Sequence, residues 1–271
     1  MLLKHLFKET KRLFFLPFYQ VYENILSKKT VQWKLPKHIG IILDGNRRWA
    51  RKLKAGSVIE GHSKGADKLD EVIDWCFDYG IEVVTIWIFS TDNFNRSKDE
   101  VDGLMDLIER KTVDLQTDKK IFGRKVKVNF IGRIELLPDS LQNEIQELEK
   151  RTASHDAFCL NVAIAYGGRE EIVDSFQRYI NDQKEKTGKT SDEIISELEP
   201  DMLNPYFYTS GQPDPDLIIR TSGEVRLSGF LLWQSTYSEF YFCDSLWPSF
   251  RRIDFLRALR SYHLRGRRFG Q

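Results

Sequence analysis

Apolar and polar positions along the chain recur with two periods. Leu69, Val72, Ile73, Cys76 and Phe77 follow the i, i+3, i+4, i+7, i+8 spacing of one helical face, which predicts a helix over about 64–79 closed by Gly80. Ser97 and Glu100 read as a capping box opening a second helix over about 97–116, lined by Val101, Leu104, Met105, Ile108 and Leu115. Leu141, Ile145 and Leu148 mark a third helix behind Pro138-Asp139, and Ile172, Val173, Phe176 and Ile180 a fourth. Thr190 and Glu193 cap a short one, and a last helix runs from about Ile253 to His263.

Between them lie runs with strand character. Ile39–Leu43 is a short apolar run, Val83–Phe89 is β-branched or aromatic throughout, Val126, Val128 and Phe130 alternate, and Phe158–Ile164 and Asp216–Arg220 follow. Phe230–Trp233 and Glu239–Phe242 are further apolar or aromatic segments. Strand and helix alternate at least four times, which predicts an α/β fold with a central, mostly parallel sheet flanked by helices. No repeat or low-complexity linker divides the chain, so one domain is expected over 36–271 behind a leader over 1–35.

Composition changes this picture little. With Lys+Arg 41 against Asp+Glu 40, the net charge is close to zero and argues against a protein that coats nucleic acid. Cys76, Cys159 and Cys243 are odd in number and far apart, so neither a zinc site nor a disulfide framework is indicated, and a reducing, cytoplasmic setting is the plain expectation. The leader mixes Leu and Phe with Lys and Arg. Its longest apolar piece, Leu13–Tyr19, is far short of the roughly 20 residues that span a bilayer. A basic amphipathic helix on an anionic lipid surface and a helix packed on the protein's own body both fit that pattern.

The polar stretches matter more. Asp44-Gly45-Asn46-Arg47-Arg48, Ser90 to Arg96, Gly132-Arg133, Tyr166 to Arg169 and Arg220 to Ser228 each directly follow a predicted strand. In an open α/β sheet all of them fall at the carboxyl edge, where ligands bind. Arg47, Arg48, Arg96, Arg220 and Arg226 supply planar, permanent charges suited to phosphate oxygens, and Gly45 allows close backbone approach. Asp44 is out of place in an anion site unless a cation intervenes, which points to magnesium and diphosphate. His62 is a candidate donor or proton relay. Glu239, in an aromatic run, pairs with an arginine or assists a metal. Neither the GxGxxG fingerprint nor a Walker loop follows a strand, so a dinucleotide or ATP is not indicated. The apolar faces of the helices over 64–79 and 97–116 are suited either to plain core or to lining an elongated greasy cavity beside the sheet.

These motifs, in this order, resemble the cis-prenyltransferases, the undecaprenyl and dehydrodolichyl diphosphate synthase family. The resemblance rests on His38-Ile-Gly-Ile-Ile-Leu-Asp-Gly-Asn-Arg-Arg-Trp-Ala50, Gly61-His62-x-x-Gly65 and Phe89-Ser-Thr-Asp-Asn-Phe-Asn-Arg96. Tyr166-Gly-Gly-Arg169, Asp216 to Ser228, Phe230-Leu-Leu-Trp-Gln234, Glu239-Phe-Tyr-Phe242, Leu246-Trp-Pro248 and Arg268-Phe-Gly270 extend it from about Pro36 to Gln271. It implies a homodimeric enzyme that joins isopentenyl diphosphate to an allylic prenyl diphosphate of the farnesyl or geranylgeranyl class, with magnesium (Mg2+) as cofactor. It further implies Asp44, Ser90, Asn93 and His62 in catalysis, with Asp44 and Glu239 serving the metal. Gly45, Asn46, Arg47, Arg48 and His62 would surround the allylic diphosphate, Arg220, Arg226 and Ser228 would hold isopentenyl diphosphate, and Trp49, Phe94 and Arg96 would also bind substrate. Arg268 and Gly270 would reach the partner's site.

Several positions depart from the common bacterial pattern. Arg47 stands where a small residue is usual, Val58 near the place of an arginine, and Asp92 and Phe94 replace Glu and Trp. Gly229 stands where Asn is frequent. With the basic leader, these resemble archaeal-type members. A noncatalytic partner subunit and a prenyltransferase using another acceptor are the alternatives such a family offers.

Overall fold

The apolar runs become six short strands in this computed structural model, which describes residues 18–265. They are β1 (His38–Ile42), β2 (Val83–Trp87), β3 (Val126–Ile131), β4 (Phe158–Ala163), β5 (Leu217–Arg220) and β6 (Glu239–Phe242). All five pairings are parallel, in the order β3-β4-β2-β1-β5-β6. The expected parallel α/β sheet is therefore present. From β1 the chain passes to β2, β3 and β4 on one side and then crosses to β5 and β6 on the other, so the crevice at the carboxyl ends of β1 and β5 is the topological switch point.

Register sorts the strand residues onto two faces. Ile39 aligns with Val84 and Leu217, and Ile42 aligns with Trp87 and Arg220. Aligned residues of parallel strands share a face, and neighbours along a strand alternate. The first face therefore carries Ile39, Ile41, Ile86, Leu160, Val162 and Ile219, all buried in the main core. The second carries Ile42, Ala163 and Ile218, covered by Tyr166, Phe230 and Leu231. Toward the amino end of the second face, His38 Nε2 lies 2.8 Å from Thr85 Oγ1, and Asn161 Nδ2 donates to that hydroxyl oxygen.

Helices α2 (Asn46–Leu53), α3 (Val58–Asp78), α4 (Lys98–Leu115), α5 (Lys119–Gly123), α6 (Asp139–Thr152), α7 (Gly168–Thr187), α8 (Ser191–Ser196) and α9 (Arg252–Leu264) follow a helix α1 over 18–29. Helix α3 starts earlier than its apolar period suggests, because Ser57 Oγ accepts the Glu60 N–H at 3.3 Å and caps it. The Thr190–Glu193 capping box forms as expected. The Ser97–Glu100 box does not: Ser97 makes no side-chain cap, and Glu100 turns instead to Arg96 and Arg47. Phe230–Trp233 lies in turns rather than in a strand.

Helix α1 packs in part on the body of the protein. Leu26 is buried against Ile253 and Leu256 of α9, while Phe18, Val21 and Ile25 stay exposed on the helix. No described helix is long and apolar enough to cross a membrane. The leader before position 18 lies outside the described residues.

Gly61 shows how tightly α2 and α3 meet, since a Cβ there would sit 2.3 Å from the Asn46 carbonyl oxygen. Gly61→Val should therefore destabilise the fold by about 1–3 kcal/mol despite removing a flexible glycine from a helix. A urea titration will read this as a lower midpoint at unchanged slope, and an unaltered midpoint would refute the close packing.

Candidate active site

The β1 run ends at Ile42, whose carbonyl accepts the Asp44 N–H at 2.9 Å. Gly45 then takes a φ of +115°, a conformation that side chains other than glycine's resist, and the chain turns directly into α2. The stretch expected as a polar loop is thus the first turn of a helix. Its free N–H groups and positive dipole end lie beside Arg47 and Arg48, which strengthens an anion site.

Asp44 and Arg220 close the crevice between β1 and β5. Arg220 Nη2 donates to Asp44 Oδ2 at 3.0 Å, and Arg48 Nη2 lies 3.5 Å from Oδ1. Burial pushes the Asp44 carboxyl up, but hydrogen bonds from Arg220 and Ser222 and the charges of Arg220 and Arg48 outweigh it and hold the group below the usual carboxylate range. Asp44 is therefore ionised. Arg220 is almost fully buried and also donates through Nη1 to Ser228 Oγ at 2.8 Å and to the Arg226 carbonyl.

Ser228, Gly229 and Leu231 all adopt positive φ, and the loop they form is pinned from α7 and the Tyr166 ring. Gly168 N–H donates to the Gly229 carbonyl at 2.8 Å, and Tyr166 Oη accepts the Leu231 N–H at 3.2 Å. Arg226 reaches solvent and pairs with Glu224, whose other oxygen lies 3.2 Å from Arg48.

A second cluster gathers around Glu100. Its Oε1 lies 3.0 Å from Arg96, 3.3 Å from Arg47 and 3.9 Å from His62 Nε2. Asn46 Nδ2 is 3.4 Å from His62 Nδ1. Burial, then the charges of Arg96 and Arg47, lower the His62 pKa to about 4, so its imidazole is neutral near pH 7. Glu100 is a site residue that the sequence reading assigned to a helix cap. Its i, i+4 spacing from Arg96 was the available signal. Ser90 and Asn93 face one another in the turn after β2, where Asn93 Oδ1 accepts the Ser90 N–H at 3.1 Å.

Asp44, Arg47, Arg48, His62, Arg96 and Arg220 are among the walls of one polar cavity of about 430 Å³. An apolar cavity of about 290 Å³ adjoins it on the first face of the sheet, between α3 and α4. Leu69, Ile73, Ile86, Leu104, Ile108 and Phe130 line it, so the helix faces expected as core or cavity wall serve as both. Leu43, Asn46, His62 and Ile88 line both cavities, so the charged and apolar spaces share a wall.

Other expected site residues are placed elsewhere. Glu239 is not brought to Asp44 within this chain: it opens β6 opposite Leu217, at the amino end of the sheet, and pairs with Arg265 at 3.0 Å. The motif spacing carried no register, and the parallel pairing sets it at the far end of the strand. Trp49 and Phe94 line neither cavity, and Phe94 packs edge-on against Phe89 at 4.9 Å. Arg268 and Gly270 lie outside the described residues.

A magnesium ion suits this donor set in one particular way. Among the described residues no group of three or more His, Cys, Asp or Glu gathers as a metal cage. Mg²⁺ commonly binds through one or two carboxylates plus substrate phosphates and water. Asp44, ionised and part-exposed on the polar cavity, is the one carboxylate such an arrangement needs.

Comparison with known proteins gives a consistent result. The family model described as "Putative undecaprenyl diphosphate synthase" matches residues 42–270. The chain is 51% identical over 255 residues to the isoprenyl transferase of Thermus thermophilus, covering 94% of this chain and 96% of that protein. It is 48% identical over 260 residues to the tritrans,polycis-undecaprenyl-diphosphate synthase (geranylgeranyl-diphosphate specific) of Pyrococcus horikoshii, covering 96% of each. A crystal structure of lavandulyl diphosphate synthase from Lavandula x intermedia with dimethylallyl diphosphate superposes with a TM-score of 0.80 at 36% identity, over 88% of this chain and 99% of that one.

The buried imidazoles make stability depend on pH. Burial likewise takes His38 down to about 4, so both it and His62 sit below their usual 6.5. Between those values the unfolded chain binds protons that the folded chain refuses, so stability present above pH 6.5 is lost as pH falls toward 4. Urea unfolding at pH 7 and pH 5 should differ by about 2 kcal/mol for each imidazole. His62→Gln should remove its share, and an undiminished difference in that variant would contradict its buried, neutral state.

Proposed function

The chain belongs to the cis-prenyltransferases, the undecaprenyl diphosphate synthase family, and on that footing we propose how its two cavities divide the substrates of the reaction. It is a transferase that condenses isopentenyl diphosphate with an allylic prenyl diphosphate to give a longer polyprenyl diphosphate. The observation that carries the division is the shared wall between a polar cavity rich in buried donors and an apolar one. An amphiphile with an anionic head and a hydrocarbon tail fits that pair of spaces.

The allylic diphosphate lies at the first turn of α2, against Gly45, Asn46, Arg47, Arg48, His62 and Arg96. Its tail enters the apolar cavity between α3 and α4. Arg220, Arg226 and Ser228 hold isopentenyl diphosphate on the other side of Asp44. Glu100 keeps Arg47 and Arg96 in place before substrate arrives, and the incoming diphosphate competes with it for their charge.

In the reaction the allylic C1–O bond breaks and its electron pair leaves with the diphosphate. The π electrons of isopentenyl diphosphate form the new C–C bond, and a proton is lost from the adjacent carbon to create the new double bond. Arg47, Arg48 and the α2 N-terminus stabilise the charge growing on the leaving diphosphate. The neutral His62 imidazole donates a hydrogen bond without competing as a cation. Ser90 and Asn93 border the side from which the proton departs. Asp44 would hold a magnesium ion, which would supply further neutralisation of the leaving group. No protein nucleophile enters the scheme.

The working form is a homodimer. The half-buried aromatic edge strand β6, with Phe240, Tyr241 and Phe242, supports this reading. Geranylgeranyl diphosphate is the preferred primer, a reading supported by the archaeal relatives of that specificity. The exposed Phe18, Val21 and Ile25 of α1, next to Lys28 and Lys29, rest on an anionic membrane surface.

With magnesium, geranylgeranyl diphosphate and labelled isopentenyl diphosphate, the purified chain should make extended products. Asp44→Ala should lower kcat by about 10²–10³-fold, and chelation with EDTA should abolish turnover. Absence of product, or an Asp44→Ala rate equal to the parent's, would reject the scheme. For the membrane contact, cosedimentation with anionic liposomes should be lost when Phe18, Val21 and Ile25 are all changed to Ser. Equal sedimentation of parent and variant would reject it.

A further inference from the structure

Seven buried side-chain nitrogen or oxygen atoms among the described residues lack a hydrogen-bond partner. Five of them belong to residues lining the polar cavity: Asn46 Oδ1, Arg47 Nε, His62 Nε2, Arg220 Nε and Trp87 Nε1. The first four belong to residues already placed at the diphosphates. Trp87 does not; by sequence it is the apolar end of a buried strand.

An indole nitrogen can only donate, and leaving a donor buried without an acceptor costs roughly 1–3 kcal/mol. The Trp87 ring is held on two sides. It stacks on Phe230 at 5.5 Å and 10°, and meets Tyr166 edge-on at 6.1 Å and 88°. Both partners cover the second face of the sheet, and Tyr166 also anchors the Ser228–Leu231 loop through the Leu231 N–H.

Register determines which part of the cavity Trp87 serves. Ile42 pairs with Trp87 on one side and Arg220 on the other, so both side chains leave the same face at the same level, flanking Ile42. With strands about 4.8 Å apart, their Cα atoms are about 10 Å apart. The apolar cavity lies on the opposite face, lined by Ile86 and Ile88.

Resting on the reading in which Arg220, Arg226 and Ser228 hold isopentenyl diphosphate, we propose that the Trp87 indole N–H is a further donor to that same diphosphate. It adds direction rather than charge. Arg226 is exposed and its attraction is screened by salt, whereas a neutral donor on a ring wedged between Phe230 and Tyr166 is already oriented and keeps its contribution at high ionic strength. Isopentenyl diphosphate bound through it is fixed in angle relative to the allylic carbon.

The test uses the full chain labelled with ¹⁵N at its tryptophan indoles. The sequence holds six tryptophans, and Trp87→Phe, which keeps the ring stack, identifies the Trp87 signal. Trp87→Tyr serves the same purpose if the Phe variant does not fold. Adding inorganic pyrophosphate should move the Trp87 indole proton downfield while arginine Nε–H signals also shift. In turnover, Trp87→Phe should raise KM for isopentenyl diphosphate about tenfold to a hundredfold, the loss expected for one hydrogen bond to a charged group. KM for the allylic primer should stay within about twofold, and the isopentenyl effect should persist in high salt. Arginine signals that respond while the indole stays still would overturn the proposal and leave the diphosphate site standing. If neither responds, the diphosphate reading itself falls, and this proposal with it.

Discussion

A single charge pair, buried Arg220 with part-exposed Asp44, ties the site together. Arg220 is 5% exposed, and a guanidinium withdrawn that far from water requires partners for its N–H groups. It finds them in the Asp44 carboxylate, Ser228 Oγ and the Arg226 carbonyl, which come from the turn after β1 and from the loop beyond β5. The bond therefore joins the two strands at the switch point of the sheet and fixes the loop that follows. Arg48 shares Asp44 from α2, so a third element is bound into the same knot. Replacing one member leaves the others charged and unpaired, which makes the cluster more fragile than its individual distances suggest.

The second organising constraint is the two-residue period of the strands. Because β1, β2 and β5 are aligned, alternation sends Ile86 to one face and Trp87 to the other, and sets Arg220 beside Ile42. Helices α3 and α4 cover the first face and leave the apolar cavity there, while the Tyr166 and Phe230 rings close the second. The carboxyl edge is where the two regimes meet. A substrate with a charged head and a hydrocarbon tail matches this arrangement because the sheet keeps low-dielectric and charged surroundings within one strand spacing of each other.

Ionic bookkeeping inside the site is nearly closed without ligand. Glu100 sits among Arg96, Arg47 and His62, and Glu224 bridges Arg48 and Arg226. These carboxylates hold the cationic groups in position, and they explain how several arginines coexist in a small volume. The donors left without partners, such as Arg220 Nε and Trp87 Nε1, then mark where an external acceptor belongs.

Much of this was legible in the chain itself. The two apolar periods specify the parallel α/β sheet, since a helical stripe and a buried strand each have only a few ways to hide from water. The strand-end motifs around Asp44, Ser90 and Arg220 fall at one edge for the same reason, and their order identifies the family. Tertiary structure decided what depends on register and on side-chain competition. The parallel pairing set Glu239 at the far end of β6, opposite Leu217 and against Arg265. Glu100 left its expected cap because two guanidiniums attract a carboxylate more strongly than one backbone N–H does. Trp87 became a candidate donor only once its alignment with Arg220 was known. Local pattern carries which residues must be buried; which neighbours they meet there depends on strands far apart in the chain.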